Sequence, residues 1–147
     1  MSFGTAVAVA RGDDGIKDIV LLSSCKSPRE QIANIYKKYN GYNSEGISVL
    51  DYGDDGEGNP PVKIGTQFWK DFDNYDFPGI IKNIHVPVMI IHGEKDDLVG
   101  RKIDDYFDLA NQPKELHIIK NTQHGFEGKE AMEEMLKLVL SWFKKWL

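Results

Sequence analysis

Three short apolar runs divide the chain, and segments with helical patterns lie around them. The runs cover residues 16–24, with Ile19-Val20-Leu21-Leu22 at the centre, residues 87–93 and residues 115–119. Unbroken apolar runs of this length are typical of strands that are buried on both faces of a parallel sheet. The alternation of such strands with helices predicts an α/β protein with three parallel strands.

Apolar residues at helical spacing flank these runs. Residues 2–10 form a small and apolar segment that precedes the first run, and turn residues follow it. Residues 98–111 repeat apolar positions with the period of a helix that buries one face. Residues 129–147 carry a single apolar stripe. We therefore predict a helix on each of these segments.

A long stretch, at about residues 26–84, interrupts the alternation. It contains a predicted helix at 28–39, a loop rich in Gly, Asp and Pro at 51–61, and a second predicted helix at 65–75. Long insertions in compact domains commonly serve as lids or binding segments. We therefore predict one domain over residues 1–147 with a cap insertion at about 26–84.

The acidic loop of the insertion invites comparison with a calcium-binding loop. An EF-hand loop beginning at Asp51 needs Asp or Asn at its third position and Glu at its twelfth, where this chain has Gly53 and Val62. The ligand spacing fails. We interpret the loop as a solvated segment and expect no bound metal.

Composition limits the class of protein. The 147 residues are 41% hydrophobic, which is enough for a packed core, and the formal net charge is -5. No basic patch favours nucleic acid or an anionic membrane as a partner. A single cysteine, Cys25, cannot form an internal disulfide, and the sequence shows neither a signal-peptide pattern nor an apolar run of bilayer length. These features predict a cytoplasmic protein.

Two residues with ionisable side chains follow predicted strands. Asp96 comes just after the second apolar run, and His124 follows the third run, 28 residues later. The loops that follow adjacent parallel strands lie side by side, so these two side chains are predicted to meet. Ser2, two residues before Gly4, supplies a hydroxyl and completes the chain order Ser, Asp, His.

Each of these residues also has a simpler interpretation. Ser2 and Asp96 are both suited to capping a helix, and His124 is suited to a bond with loop backbone. His92, at the end of the second run, is expected to be packed or bonded to backbone. The aromatic residues of the insertion fit either a cap core or an acyl pocket, and we expect the cap core.

Together these motifs resemble the α/β-hydrolases over nearly the whole chain. The resemblance is carried by residues 2–6 (SFGTA), similar to the second half of a G-x-S-x-G nucleophile elbow, by residues 86–96 (VPVMIIHGEKD), similar to the strand and loop that bear the catalytic acid, and by residues 124–126 (HGF), similar to the histidine loop. Within the family, the likeness is to esterases of the feruloyl-esterase and dienelactone-hydrolase type and to prolyl-oligopeptidase-like peptidases.

The resemblance implies a fold and a set of roles. The fold is the C-terminal part of an α/β-hydrolase sheet, with three parallel strands, flanking helices and a cap insertion. Ser2 is the implied nucleophile, His124 the general base and Asp96 the group that orients the imidazole, while the backbone N–H of Phe3 is an implied oxyanion donor. The implied activity is the hydrolysis of carboxylic esters or related acyl substrates through an acyl-enzyme, without a cofactor.

Departures from the family pattern leave other hypotheses open. The first glycine of the elbow and the strands expected before Ser2 are not in this sequence, so the innermost strand is predicted to expose an unpaired edge. A second hypothesis is a catalytically silent fragment that pairs with a complementary N-terminal chain, and a homo-oligomer is also possible. A third hypothesis is a serine peptidase that uses the same triad.

Overall fold

The computed structural model describes residues 12, 14–24, 28–51, 53, 60–98 and 107–147. The first predicted helix, at 2–10, lies outside the described residues. Most of the helix predicted at 98–111 and most of the loop predicted at 51–61 also lie outside them, although residues 107–109 are described and helical. Every structural statement below refers to the described residues.

The described part of the chain contains both strands and helices. The strands are β1 (Ile19–Leu22), β2 (Ser48–Leu50), β3 (Val62–Ile64), β4 (Val88–Gly93) and β5 (Lys114–Ile119). The helices are α1 (Pro28–Lys38), α2 (Thr66–Asp73), α3 (Phe77–Lys82) and α4 (Lys129–Trp146). The chain divides into two compact units, one at Ser27–Asp76 and one formed by the segments on either side of it.

A three-stranded parallel sheet forms the centre of the larger unit, in the order β1-β4-β5. Ile19 of β1 is paired with Val88 of β4, and Val88 is paired with Lys114 of β5. All six residues of β4 are buried, which explains why the sequence of this strand is apolar without alternation. The predicted fold class, with three parallel strands and flanking helices, is confirmed.

Side chains alternate between the two faces of this sheet, and each face has its own core. On one face Ile90 and Leu21 pack with Ile81 and Ile84, which belong to α3 and the turn after it. On the other face Ile91 and its neighbours pack against α4. The α4 face is made of Met89, Ile91, Ile119, Phe126, Met135 and Trp142. The two cores together fix the position of the strand ends from which the candidate residues extend.

Asp18, the residue before the start of β1, is a buried acid. Burial raises the pKa of Asp18, and the indole N–H of Trp142 offsets this effect only in part. Because the folded state favours the protonated carboxyl, the contribution of Asp18 to stability is fully present at pH values below its unfolded-state pKa of about 3.9. That stabilisation is lost as the pH rises through the folded-state pKa.

We therefore expect Asp18→Asn to raise the melting temperature at neutral pH, with a gain in unfolding free energy of at most about 1 kcal/mol. The amide of asparagine has no charge to desolvate. Thermal unfolding followed across the acidic range should show the advantage shrinking as the pH falls to about 4. Asp14→Asn, at an exposed acid, is the control. Equal melting temperatures of Asp18→Asn and the parent at neutral pH contradict the prediction.

The smaller unit, Ser27–Asp76, has its own core. Its strands β2 and β3 form an antiparallel pair beside α1 and α2. Trp69 of α2 is 1% exposed, packs edge-on against Tyr36 and Tyr42, and donates its indole N–H to Ser48 Oγ at 3.0 Å. This arrangement explains why aromatic residues are frequent in the insertion, since several of them build its core.

The predicted helices of the insertion agree with the structure, whereas two features were not predicted from the sequence. Helices predicted at 28–39 and 65–75 are observed as α1 and α2. The β2–β3 pair was not predicted, because each strand has only three residues. Helix α3 was not predicted either, and with Ile84 it packs in the sheet core although it lies within the predicted insertion.

Candidate active site

The loop that follows β4 is fixed against the end of β5 by backbone hydrogen bonds. The N–H groups of Glu94 and Lys95 donate to the carbonyl oxygens of Ile119 and Thr122, each at 2.9 Å. These bonds join the loops after two adjacent parallel strands. They hold Asp96 at the carboxyl end of the sheet, where α/β proteins build their sites.

Gly93, the last residue of β4, permits the close approach of these two loops. A Cβ atom on Gly93 would overlap the carbonyl oxygen of Gln123 and lie 2.8 Å from that of Thr122. Both obstacles are backbone atoms, which cannot rotate away as a flexible side chain can. The contact between the acid loop and the histidine loop therefore requires glycine at this position.

Asp96 is buried, and its side chain has no exposed surface. Its Oδ1 accepts the backbone N–H of Leu98 at 3.0 Å, whereas its Oδ2 lies 2.9 Å from His124 Nδ1. The two oxygens of Asp96 thus have different partners, one in the local backbone and one in the histidine loop. The next residue, Asp97, is exposed.

His124 meets this carboxylate with one nitrogen. A carboxylate oxygen accepts a hydrogen bond from the imidazole in the tautomer that carries its proton on Nδ1. The imidazole side chain is 39% exposed, and its Nε2 has no hydrogen-bond partner among the described residues. This tautomer leaves Nε2 with a lone pair that can accept a proton from another group.

The backbone around His124 is held in unusual conformations. Asn121 and Phe126, on either side of it, both have a φ of 56°, a left-handed conformation that few residues other than glycine adopt. Phe126 is buried in the core beside α4, and Thr122 Oγ1 donates to the carbonyl of Glu127 at 3.3 Å. Packing and hydrogen bonding together stabilise the loop in this shape.

Glu127, three residues after His124, accepts hydrogen bonds from the backbone of the histidine loop. The pKa of Glu127 is lowered, mainly by a hydrogen bond from its own backbone N–H and also by those from Gly125 and Gln123. The nearby His124 lowers it further, whereas desolvation acts in the opposite direction. The bond from Gly125 N to Glu127 Oε1 measures 3.1 Å. Glu127 is therefore an anionic acceptor for loop backbone at neutral pH.

The other histidines have different surroundings. His92 is 2% exposed in β4, and its Nε2 lies 3.8 Å from Asp96 Oδ2, which is beyond hydrogen-bond distance. His117 lies 3.2 Å from the carboxylate of Glu115, and His85 is exposed. The carboxylate of Asp96 thus has one histidine in hydrogen-bond contact, His124, and a second one packed nearby.

The structure brings together two of the four residues singled out in the sequence, Asp96 and His124. Ser2 and Phe3 lie outside the described residues. One contact of the histidine loop was not predicted: Ser23, at the end of β1, donates its hydroxyl to the carbonyl oxygen of His124. No pattern in the sequence distinguishes Ser23 from its neighbour Ser24.

Two further features are absent from the described residues. No group of three or more His, Cys, Asp or Glu side chains among them is arranged to hold a metal ion. In the same part of the chain, none of the helices is both long enough and apolar enough to traverse a lipid bilayer.

Asp96 and His124 lie in the loops that follow two adjacent strands of a parallel sheet. Comparison with solved structures shows an α/β-hydrolase fold for the chain. Among the similar structures are an esterase domain from Rhodothermus marinus (TM-score 0.69, 16% identity) and the α/β hydrolase GrgF from Penicillium sp. sh18 (TM-score 0.66, 17% identity). Est1E from Butyrivibrio proteoclasticus with ferulic acid bound has a TM-score of 0.59 and 19% identity. The predicted resemblance to α/β-hydrolases is confirmed at the level of fold.

These matches cover nearly all of this chain but a smaller share of each solved protein. They cover 96%, 96% and 95% of this chain, but only 56%, 59% and 56% of the respective solved chains. The chain thus spans between half and two thirds of the length of those proteins. No protein-family model matches the sequence, and no curated protein matches it.

Proposed function

We propose that this chain is a serine hydrolase that acts on carboxylic esters or related acyl substrates through an acyl-enzyme. The observation that carries the proposal is the contact of 2.9 Å between Asp96 Oδ2 and His124 Nδ1. A fully buried carboxylate there holds a half-exposed imidazole in the tautomer whose Nε2 accepts protons. The α/β-hydrolase fold supports the same conclusion, because both residues lie at the carboxyl ends of adjacent parallel strands.

In the proposed mechanism, Ser2 is the nucleophile. His124 takes the hydroxyl proton through Nε2 as the serine oxygen attacks the acyl carbon, and later returns a proton to the leaving group. Asp96 stabilises the imidazolium that forms in between. The N–H of Phe3 donates a hydrogen bond to the developing oxyanion. A water molecule then attacks the acyl-enzyme while His124 takes its proton, which releases the carboxylic acid and restores the hydroxyl of Ser2.

Ester substrates are favoured over peptides by the similar structures. These include an esterase domain, Est1E with ferulic acid bound and a monoacylglycerol lipase from Paleococcus ferrophilus. We therefore propose ester hydrolysis as the main activity and peptide hydrolysis as the competing outcome of the test.

The single cysteine, Cys25, supports a reducing and therefore cytoplasmic setting.

A second candidate function is suggested by β1. Within the described sheet, β1 pairs with β4 on one side and with no strand on the other. Unpaired strand edges are templates for further strands. We propose that this edge is where a complementary α/β-hydrolase chain, or a second copy of this chain, completes the sheet. Light scattering of the purified chain tests this: a homo-oligomer supports association between copies, whereas a monomer that is fully active by itself contradicts both forms of pairing.

A fluorophosphonate probe tests the proposed nucleophile, because it reacts covalently with activated serines. We expect the parent chain to be labelled, and Ser2→Ala and His124→Ala to lose labelling. His85→Ala changes an exposed histidine outside the site and is the matched control. Labelling that survives in Ser2→Ala contradicts Ser2 as the nucleophile, and an unlabelled parent chain contradicts independent catalysis. Turnover of p-nitrophenyl esters compared with peptide anilides then separates esterase from peptidase.

A further inference from the structure

Ser23 occupies a strained and buried position at the carboxyl end of β1. It is 8% exposed, and its φ of 45° places it in the left-handed region. Its backbone N–H donates to the carbonyl of Ile91 in β4 at 2.9 Å. Residues other than glycine adopt this backbone conformation only where the surrounding structure compensates for it.

The hydroxyl of Ser23 reaches the histidine loop. Ser23 Oγ donates to the carbonyl oxygen of His124 at 2.8 Å. The two residues are 101 positions apart in the chain, and β4 lies between β1 and β5 in the sheet. A single side-chain hydrogen bond thus connects the end of the first strand to the backbone of the candidate general base, across the central strand.

The neighbouring residue shows that burial alone does not produce this contact. Ser24 is 5% exposed, and its hydroxyl has no hydrogen-bond partner among the described residues. The two serines are adjacent, of equal size and similarly buried. Of the two serines, Ser23 has the left-handed backbone, and its hydroxyl binds the histidine loop.

We propose that Ser23 is a positioning residue for His124, an inference that rests on the proposed serine-hydrolase function. His124 is held at two points. Asp96 binds the imidazole through Nδ1, and Ser23 binds the main-chain carbonyl of the same residue. Fixing the backbone as well as the ring sets where Nε2 lies. Small displacements of a catalytic group have large effects on rate.

Loss of the hydroxyl should therefore reduce turnover more than substrate binding. We expect Ser23→Ala to lower kcat for a p-nitrophenyl ester by about tenfold while KM stays within about twofold. Ser23→Thr retains the hydroxyl but places a β-branched residue at positive φ. It is expected to melt at a lower temperature than the parent and still keep kcat within about threefold. Ser24→Ala is the matched control and should retain the parent kcat.

A spectroscopic measurement on the full chain does not depend on activity. The proton on His124 Nδ1, hydrogen-bonded to Asp96, gives a downfield NMR resonance that can be assigned with His124→Ala. We expect Ser23→Ala to shift or broaden this resonance and Ser24→Ala to leave it in place. If the parent chain hydrolyses no ester, the proposed function fails, and the resonance still tests the positioning by Ser23.

Three results overturn the proposal. The first is an unchanged His124 resonance in Ser23→Ala. The second is an equal change of that resonance in Ser24→Ala. The third is a kcat that follows melting temperature across the variants, with Ser23→Thr as impaired as Ser23→Ala, because that pattern identifies a structural role alone.

Discussion

Asp96→Asn is expected to lower the rate of ester hydrolysis by about 10⁴-fold, the effect that this substitution has in Ser-His-Asp enzymes. The side chain keeps its size, so the buried site still fits it. An amide that turns its NH₂ toward His124, however, offers a donor where Nδ1–H needs an acceptor. The imidazole then either loses its partner or adopts the tautomer with the proton on Nε2. In that tautomer it cannot accept the serine proton.

Asp97→Asn is the matched control for this change. Asp97 is the next residue, carries the same charge, and is exposed. Its substitution should change kcat by less than about threefold. Steady-state kinetics on a chromogenic ester, with circular dichroism to verify folding, makes the comparison. Similar losses in the two variants mean that charge in this loop, rather than contact with His124, controls the rate.

Gly93→Ala is expected to have the second largest effect. The new Cβ overlaps the carbonyl of Gln123 and approaches that of Thr122. The two loops must therefore separate. Overpacking of this kind costs about 1–3 kcal/mol of unfolding free energy. A shift of about 1 Å between Asp96 and His124 should in addition lower turnover by about 10²-fold.

Urea unfolding and ester hydrolysis measure the two consequences of Gly93→Ala separately. Gly65→Ala is the control, because its added Cβ meets nothing within 4 Å and its φ is -92°. Its effect on stability should stay below about 1 kcal/mol, the scale of a changed helix cap. Parent-like stability and turnover in Gly93→Ala would show that the loops accommodate a methyl group, contrary to the expectation.

The strands of the sheet were predictable because their signal is local. A strand buried on both faces is apolar at nearly every position, and β4 is buried at all six, with His92 as its polar side chain. The predicted run at 87–93 therefore corresponds to β4 almost residue for residue. The last helix was predictable for a similar reason, since its apolar stripe covers one face of the sheet.

The β2–β3 pair shows where local patterns are insufficient. Each strand has three residues, and β3 is largely exposed, so neither alternation nor an apolar run marks it. Its stability comes from the partner strand and from contacts such as that between Trp69 and Ser48, which are 21 positions apart. Helix α3 is also short, with six residues that include Pro78 and Gly79, both poor helix formers.

The apolar runs of the sequence show that Asp96 and His124 each follow a strand, and the alternation of strands and helices predicts that these strands are parallel neighbours. The sequence does not show which oxygen of Asp96 meets the imidazole, or that Gly93 allows the two loops to touch; both were found in the folded structure. It alone revealed the bond from Ser23 to His124. These contacts join residues far apart in the chain. Their distances depend on backbone geometry that no local pattern of hydrophobic and polar residues encodes.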